Sequence, residues 1–143
     1  MIQRIQSIFL TLAALCSFGL FGTEAAETDT PVASSPVFGD AELTVFDSPL
    51  LIGGVIAAGL VLLIAIFMYR NRKLQSTLCT VAILLTLAYA AYGGVLWGTD
   101  PAVEQSFFDF GVTLPPLAVL FSVLAARYIK KDERLVRSAD RLR

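Results

Sequence analysis

The chain has 143 residues, 56% of them hydrophobic and only 16% charged, with a formal net charge of −1 and no histidine. A soluble domain carries charge on about a quarter of its residues, so this composition excludes an ordinary water-soluble fold. The missing histidine removes the commonest general base and metal ligand, and no glycine-rich loop with a following lysine offers a phosphate cradle. Ser7, Ser17 and Ser122 have no base to activate them apart from loop carboxylates. The expectation is a non-enzymatic protein without cofactor, metal or nucleic-acid partner.

The apolar residues are gathered into four windows without a charged residue, Ile5–Thr23, Ser48–Tyr69, Leu74–Thr99 and Phe110–Ala126. Each approaches or exceeds the roughly 20 residues that a helix needs to cross a hydrocarbon core. None alternates with period two, which argues against a barrel, and helices satisfy their backbone groups within the segment. The chain therefore reads as an all-α membrane protein with approximate helices over 4–22, 49–69, 76–97 and 110–130. All 11 Lys and Arg residues lie before the first window, between the second and third, or at and after the end of the fourth. The first and third connections carry only acids: Glu24, Glu27, Asp29, Asp40, Glu42 and Asp47 in one, Asp100, Glu104 and Asp109 in the other. Cations near membrane ends mark the cytoplasmic side. The expected topology is four transmembrane helices in an antiparallel up-down-up-down bundle, both termini cytoplasmic.

In chain order, the first helix competes with a secretory signal peptide, because small residues at Thr23, Ala25 and Ala26 follow its apolar run. The outer loop, 23–48, mixes acids with Pro31, Pro36, Ser34, Ser35 and Gly39 and reads as solvated and partly mobile. Val37-Phe38 and Leu43–Phe46 could instead form a short extended pair or dip into the interface. The second helix should begin at Ser48-Pro49, with serine as cap and proline in the first turn. Gly53, Gly54, Ala57, Ala58 and Gly59 form a small-residue ridge, more consistent with packing inside the molecule than with homodimerisation.

Arg70–Lys73 is a turn too short for anything but a neighbouring helix. Tyr89 and Tyr92, three residues apart on the third helix, could hydrogen-bond a ligand or simply cap polar groups of a neighbour. Phe107, Phe108 and Phe110 form an aromatic cluster. Pro115-Pro116 either occupies the first turn of a helix capped by Thr113 or bends a helix that starts near Phe110. The cysteines, Cys16 and Cys79, differ in expected depth by roughly 12 Å, too far for a disulfide. The tail, 131–143, is a basic amphipathic helix suited to anionic headgroups or to a partner.

The opening Met1-Ile2-Gln3-Arg4-Ile5-Gln6-Ser7 and the closing run from Lys131 to Arg143 resemble a Bacteroidetes family of small four-helix integral membrane proteins, classed as a domain of unknown function. The resemblance spans essentially the whole chain, with its specific part in these two ends. It implies that the first helix is kept as a true span, and it implies no activity. The recognisable ends suggest a cytoplasmic docking surface of Gln3, Arg4, Gln6, Asp132, Glu133, Arg137, Asp140 and Arg141, unless these residues merely tie the bundle shut. The leading expectation is an accessory or scaffold subunit in the bacterial cytoplasmic (inner) membrane, its partners being membrane lipid and other membrane-protein subunits. A small oligomeric transporter, channel or lipid-binding protein is the alternative, and a homo-oligomer is compatible with either. A sensor using the acidic outer loop is a third class.

Overall fold

The computed structural model describes residues 2–140, and the side chains of residues 5–136 and of Ser138. It is mostly helical. Four helices, α1 (Ile2–Gly19), α2 (Pro49–Phe67), α3 (Arg72–Thr99) and α4 (Leu114–Asp140), account for most of the chain. All four are long and apolar enough to cross a membrane. They form a ring in which α1 packs on α2 and α4, and α3 packs on the same two. No more than a third of any apolar window is buried inside the chain. Ile8, Leu15, Leu60, Leu84 and Leu120 point outward and are exposed. Apolar surface of that extent is a liability in water and the ordinary covering of a helix in lipid.

Helix boundaries follow local chemistry. Ser48 accepts a hydrogen bond from Leu50 N at 3.3 Å, with Pro49 in the first turn of α2. Asn71 Oδ1 accepts from Leu74 N at 3.1 Å, so α3 starts at Arg72, a turn before the point that hydropathy marks. Helix α4 begins at Leu114 after a 3-10 turn over Phe110–Thr113. Both prolines therefore sit in its first turn, where an N–H has no helical acceptor. Thr113, expected as the cap, donates its hydroxyl back to Phe110 O at 2.7 Å and closes the preceding turn.

The connection over 23–48 is not a solvated loop. It folds with the 100–113 connection into a cap built on a three-stranded antiparallel sheet of β1 (Ala26–Thr28), β2 (Glu42–Leu43) and β3 (Ser106–Phe108), in the order β2-β1-β3. Leu43 pairs with Ala26, while Phe38 lies in a 3-10 turn with Val37 at its start. The suggested pairing of Val37-Phe38 with Leu43–Phe46 is therefore not the one formed. Phe38, Val37, Leu43, Ala26 and Ala102 make a small core for the cap. Gly111 is where the two connections of the cap approach each other closely. Its N–H donates to Glu24 O at 2.8 Å, and a Cβ there would overlap that carbonyl.

Inside the bundle the helices approach through small residues, including Ala13, Ala14, Ala65, Ala82 and Ala125. The ridge on α2 packs within the chain. A Cβ on Gly54 would stand 2.8 Å from Tyr89 Cβ, and one on Gly59 would meet the Phe18 ring at 2.5 Å, whereas Gly53 faces open space. Tyr89 Cβ is fixed by its own helix and cannot swing aside. Gly54→Ala should therefore cost about 1–3 kcal/mol and lower the thermal midpoint of the purified protein. Gly53→Ala should leave that midpoint unchanged.

Candidate functional site

The residues suggested as a docking surface divide into three groups. The side chains of Gln3, Arg4, Arg137 and Asp140, and all of Arg141, lie outside the described residues. Gln6 is fully buried; its Nε2 donates to Gln75 Oε1 at 3.4 Å, and Gln75 Nε2 donates to Ala65 O at 2.9 Å. Asp132 lies 2.8 Å from Arg72 Nε in an ion pair joining α4 to the start of α3. Glu133 also has a partner within the chain. Phe9 stacks on Phe121 and Tyr128 at the same end. Gln6 and Asp132 are thus each engaged with another helix of the bundle.

A cavity of about 460 Å³ lies at the opposite end, between the cap and the helices. Its walls come from Leu51 of α2, from Tyr89, Ala90, Gly93, Gly94 and Trp97 of α3, and from Pro115 and Pro116 of α4. The roof is Ala25, Leu43, Thr44, Val45, Phe108 and Gly111 of the cap. The volume lies within the range of small-molecule pockets, and the lining is overwhelmingly apolar. Gly94, Phe108, Val112 and Pro116 are the exposed members of the lining, so the mouth opens sideways between α3 and the start of α4.

Glycines at 93 and 94 leave the space. A Cβ at Gly93 would meet only Leu51, at 3.7 Å, and one at Gly94 nothing within 4 Å. Trp97 is held against the wall by donating Nε1–H to Ser106 Oγ at 2.9 Å and by ring contact with Phe108 at 4.8 Å.

The two tyrosines have separate fates. Tyr92 takes the capping role, accepting from the Ser48 hydroxyl at 3.2 Å. Tyr89 lines the cavity and is only 6% exposed. Ser17 and Thr86 are the polar neighbours of its hydroxyl, yet neither the Tyr89 nor the Ser17 oxygen completes a hydrogen bond. Thr86 is committed to Ala82 O at 2.8 Å. Unsatisfied buried hydroxyls are uncommon, and here one belongs to a cavity-lining side chain.

The cap is fixed by Asp100, a carboxylate only 4% exposed. It accepts from the Ser35 hydroxyl at 2.7 and 2.8 Å, from Ala102 N at 2.8 Å and from Val37 N at 3.3 Å. Ser35 Oγ in turn accepts from Phe38 N at 2.6 Å. One side chain at the end of α3 thereby fixes the middle of the long connection. The cap's other acids are less well compensated. Loss of water around the carboxyl raises Glu24 from its ordinary value, and the charges of Glu42, Asp109, Glu27 and Asp40 add to the shift. Asp47 is also raised by loss of water, against the Thr44 N–H and hydroxyl that donate to it.

Among the described residues no group of His, Cys, Asp and Glu could hold a metal ion, and both cysteines are free thiols. A protein-family model described as a domain of unknown function (DUF4293) matches residues 2–142. No curated protein and no solved structure matches the chain.

Ser35→Ala should release residues 35–38 and raise their amide hydrogen-exchange rates, costing the cap about 1–3 kcal/mol, with exchange in α1–α4 unchanged. The raised acids give a sign for pH. At Glu24 and Asp47 the folded cap holds protons that the unfolded chain releases, so the stability these two groups contribute is fullest below their ordinary values. That stability declines as pH rises through the raised ones. Exchange protection in β1–β3, corrected for intrinsic rates, should follow that slope, and Glu24→Gln should flatten it.

Proposed function

The chain belongs to the DUF4293 family, and from that premise we propose that it is a non-enzymatic membrane protein that binds the hydrocarbon chain of a lipid beneath its cap. The lateral apolar cavity is the observation that carries this reading. The four helices lie across the bacterial cytoplasmic membrane, up-down-up-down, with the capped end outside and both termini inside. The complete separation of Lys and Arg from the capped end supports that orientation. Placed so, the mouth between α3 and α4 faces the outer hydrocarbon layer, and the molecules that reach it are those dissolved there. Trp97 and Phe108 then lie near the headgroup boundary, where amphipathic rings settle.

An accessory or scaffold role is the second reading, and the far end of α4 favours it. From Arg127 to Asp140 the helix continues roughly 20 Å past Ala126, the end of the uncharged run. Arg127, Lys130 and Arg134 are exposed along it. That projection can meet another subunit without disturbing Gln6 or Asp132. The two readings are compatible, since a subunit can also hold a lipid.

Gly93→Leu fills the cavity from a helical position with room for the first added carbon, so the bundle should fold unchanged. Native mass spectrometry of the gently purified protein should find one retained lipid on the unaltered chain, and retention reduced about tenfold in the variant. A tenfold change corresponds to about 1.4 kcal/mol, less than the burial of a hydrocarbon chain supplies. Equal retention by the two proteins would remove the cavity as the binding site.

A further inference from the structure

The cavity's surroundings carry information about the head of the bound molecule as well as its chain. Every charged side chain at the capped end is acidic. The fold also holds several of these acids close together with no counter-charge. Glu27 and Glu42 stand directly opposite each other as Cα partners across β1 and β2, a placement that like charges ordinarily make unfavourable. Glu24 feels the fields of Glu42, Asp109, Glu27 and Asp40.

Two of these acids adjoin the cavity lining along the chain. Asp109 directly follows the rim residue Phe108, and Glu24 supplies the carbonyl bonded by the lining residue Gly111. An anionic head would be repelled here. A metal ion is a poor match, because among the described residues the carboxylates do not converge into a metal-holding group. A diffuse organic cation tethered to a hydrocarbon chain suits both features at once.

Resting on the lipid-binding reading, we propose that the occupant is a membrane lipid whose headgroup carries a protonated amine, its chain in the cavity and its ammonium against Glu24 and Asp109. The chain is recognised by apolar walls and the head by charge complementarity at the rim.

The single tryptophan of the chain, Trp97, lines the cavity and reports on it directly. The full-length protein in a neutral detergent would be titrated with dodecylamine, dodecanol and dodecanoate, which share a chain and differ in head. Trp97 emission should respond to dodecylamine at about five- to tenfold lower concentration than to dodecanol, the size of one or two partly exposed ion pairs. The response should be weakest with dodecanoate. The double variant Glu24→Gln/Asp109→Asn should bring amine and alcohol together, and added salt should do so in part.

Native mass spectrometry with phosphatidylethanolamine and phosphatidylglycerol of identical chains should show preferential retention of the first. Equal binding of amine and alcohol by the unaltered protein would overturn the headgroup assignment and leave the cavity reading standing. Amine selectivity in the dodecyl series without preference for the aminophospholipid would overturn the assignment to a membrane lipid. A response unchanged by Gly93→Leu would overturn the cavity reading itself.

Discussion

The cavity exists because Asp100 is buried with neutral donors around it. Its carboxylate collects the Ser35 hydroxyl and the amides of Val37 and Ala102, and this anchors the long first connection to the end of α3. A buried charge without donors is costly, so the network is satisfied as a unit or not at all. With the connection anchored, β1 can pair with β2 on one side and β3 on the other. The sheet roofs the space that Gly93 and Gly94 leave open. Without that anchor the connection would be a mobile tether, and the apolar faces of α3 and α4 would meet their surroundings with no enclosed volume between them.

The two ends of the bundle solve different problems. At the end bearing the Arg72–Asp132 pair, side chains of different helices meet: amide with amide, guanidinium with carboxylate, ring with ring. That end closes the bundle. At the capped end carboxylates stand opposite carboxylates, and every charged side chain there is acidic. Proteins tolerate such local conflicts where a site needs them. The apolar cavity beside these uncompensated acids locates the functional reading at the cap.

Much of the helical part is legible in the residues. Uncharged runs mark all four helices, Ser48-Pro49 marks the start of α2, and the spacing of Tyr89 and Tyr92 marks a face that both tyrosines use, though differently. The cap is not legible in the same way. Its strands are two or three residues long, too short for a period-two signal, and they pair between two connections separated by two helices. Ser35 and Asp100 lie 65 positions apart, and neither looks remarkable locally. Asp100 carried one hint, as a lone acid beside proline at the very end of an apolar run. The basic and polar ends of the chain carry the family resemblance, and of their residues Gln6 and Asp132 make contacts between helices that spacing alone does not reveal. The cavity could not have been found from sequence, since Gly93 and Gly94 read as ordinary residues of a membrane helix, and Pro115-Pro116 as a cap or a bend, until the cap is placed over them.

The most direct test of the account is to locate a lipid chain on the protein while it sits in a bilayer. A phospholipid carrying a photoactivatable group midway along one acyl chain would be incorporated at low fraction into vesicles containing the full-length protein. After illumination, the labelled positions would be read by mass spectrometry. The account predicts labelling concentrated on Leu51, Ala90, Gly93, Trp97 and Pro115, competed away by the same lipid without the photoactive group. Labelling spread evenly over outward residues such as Leu15, Leu60, Leu84 and Leu120, with the cavity lining untouched, would contradict it.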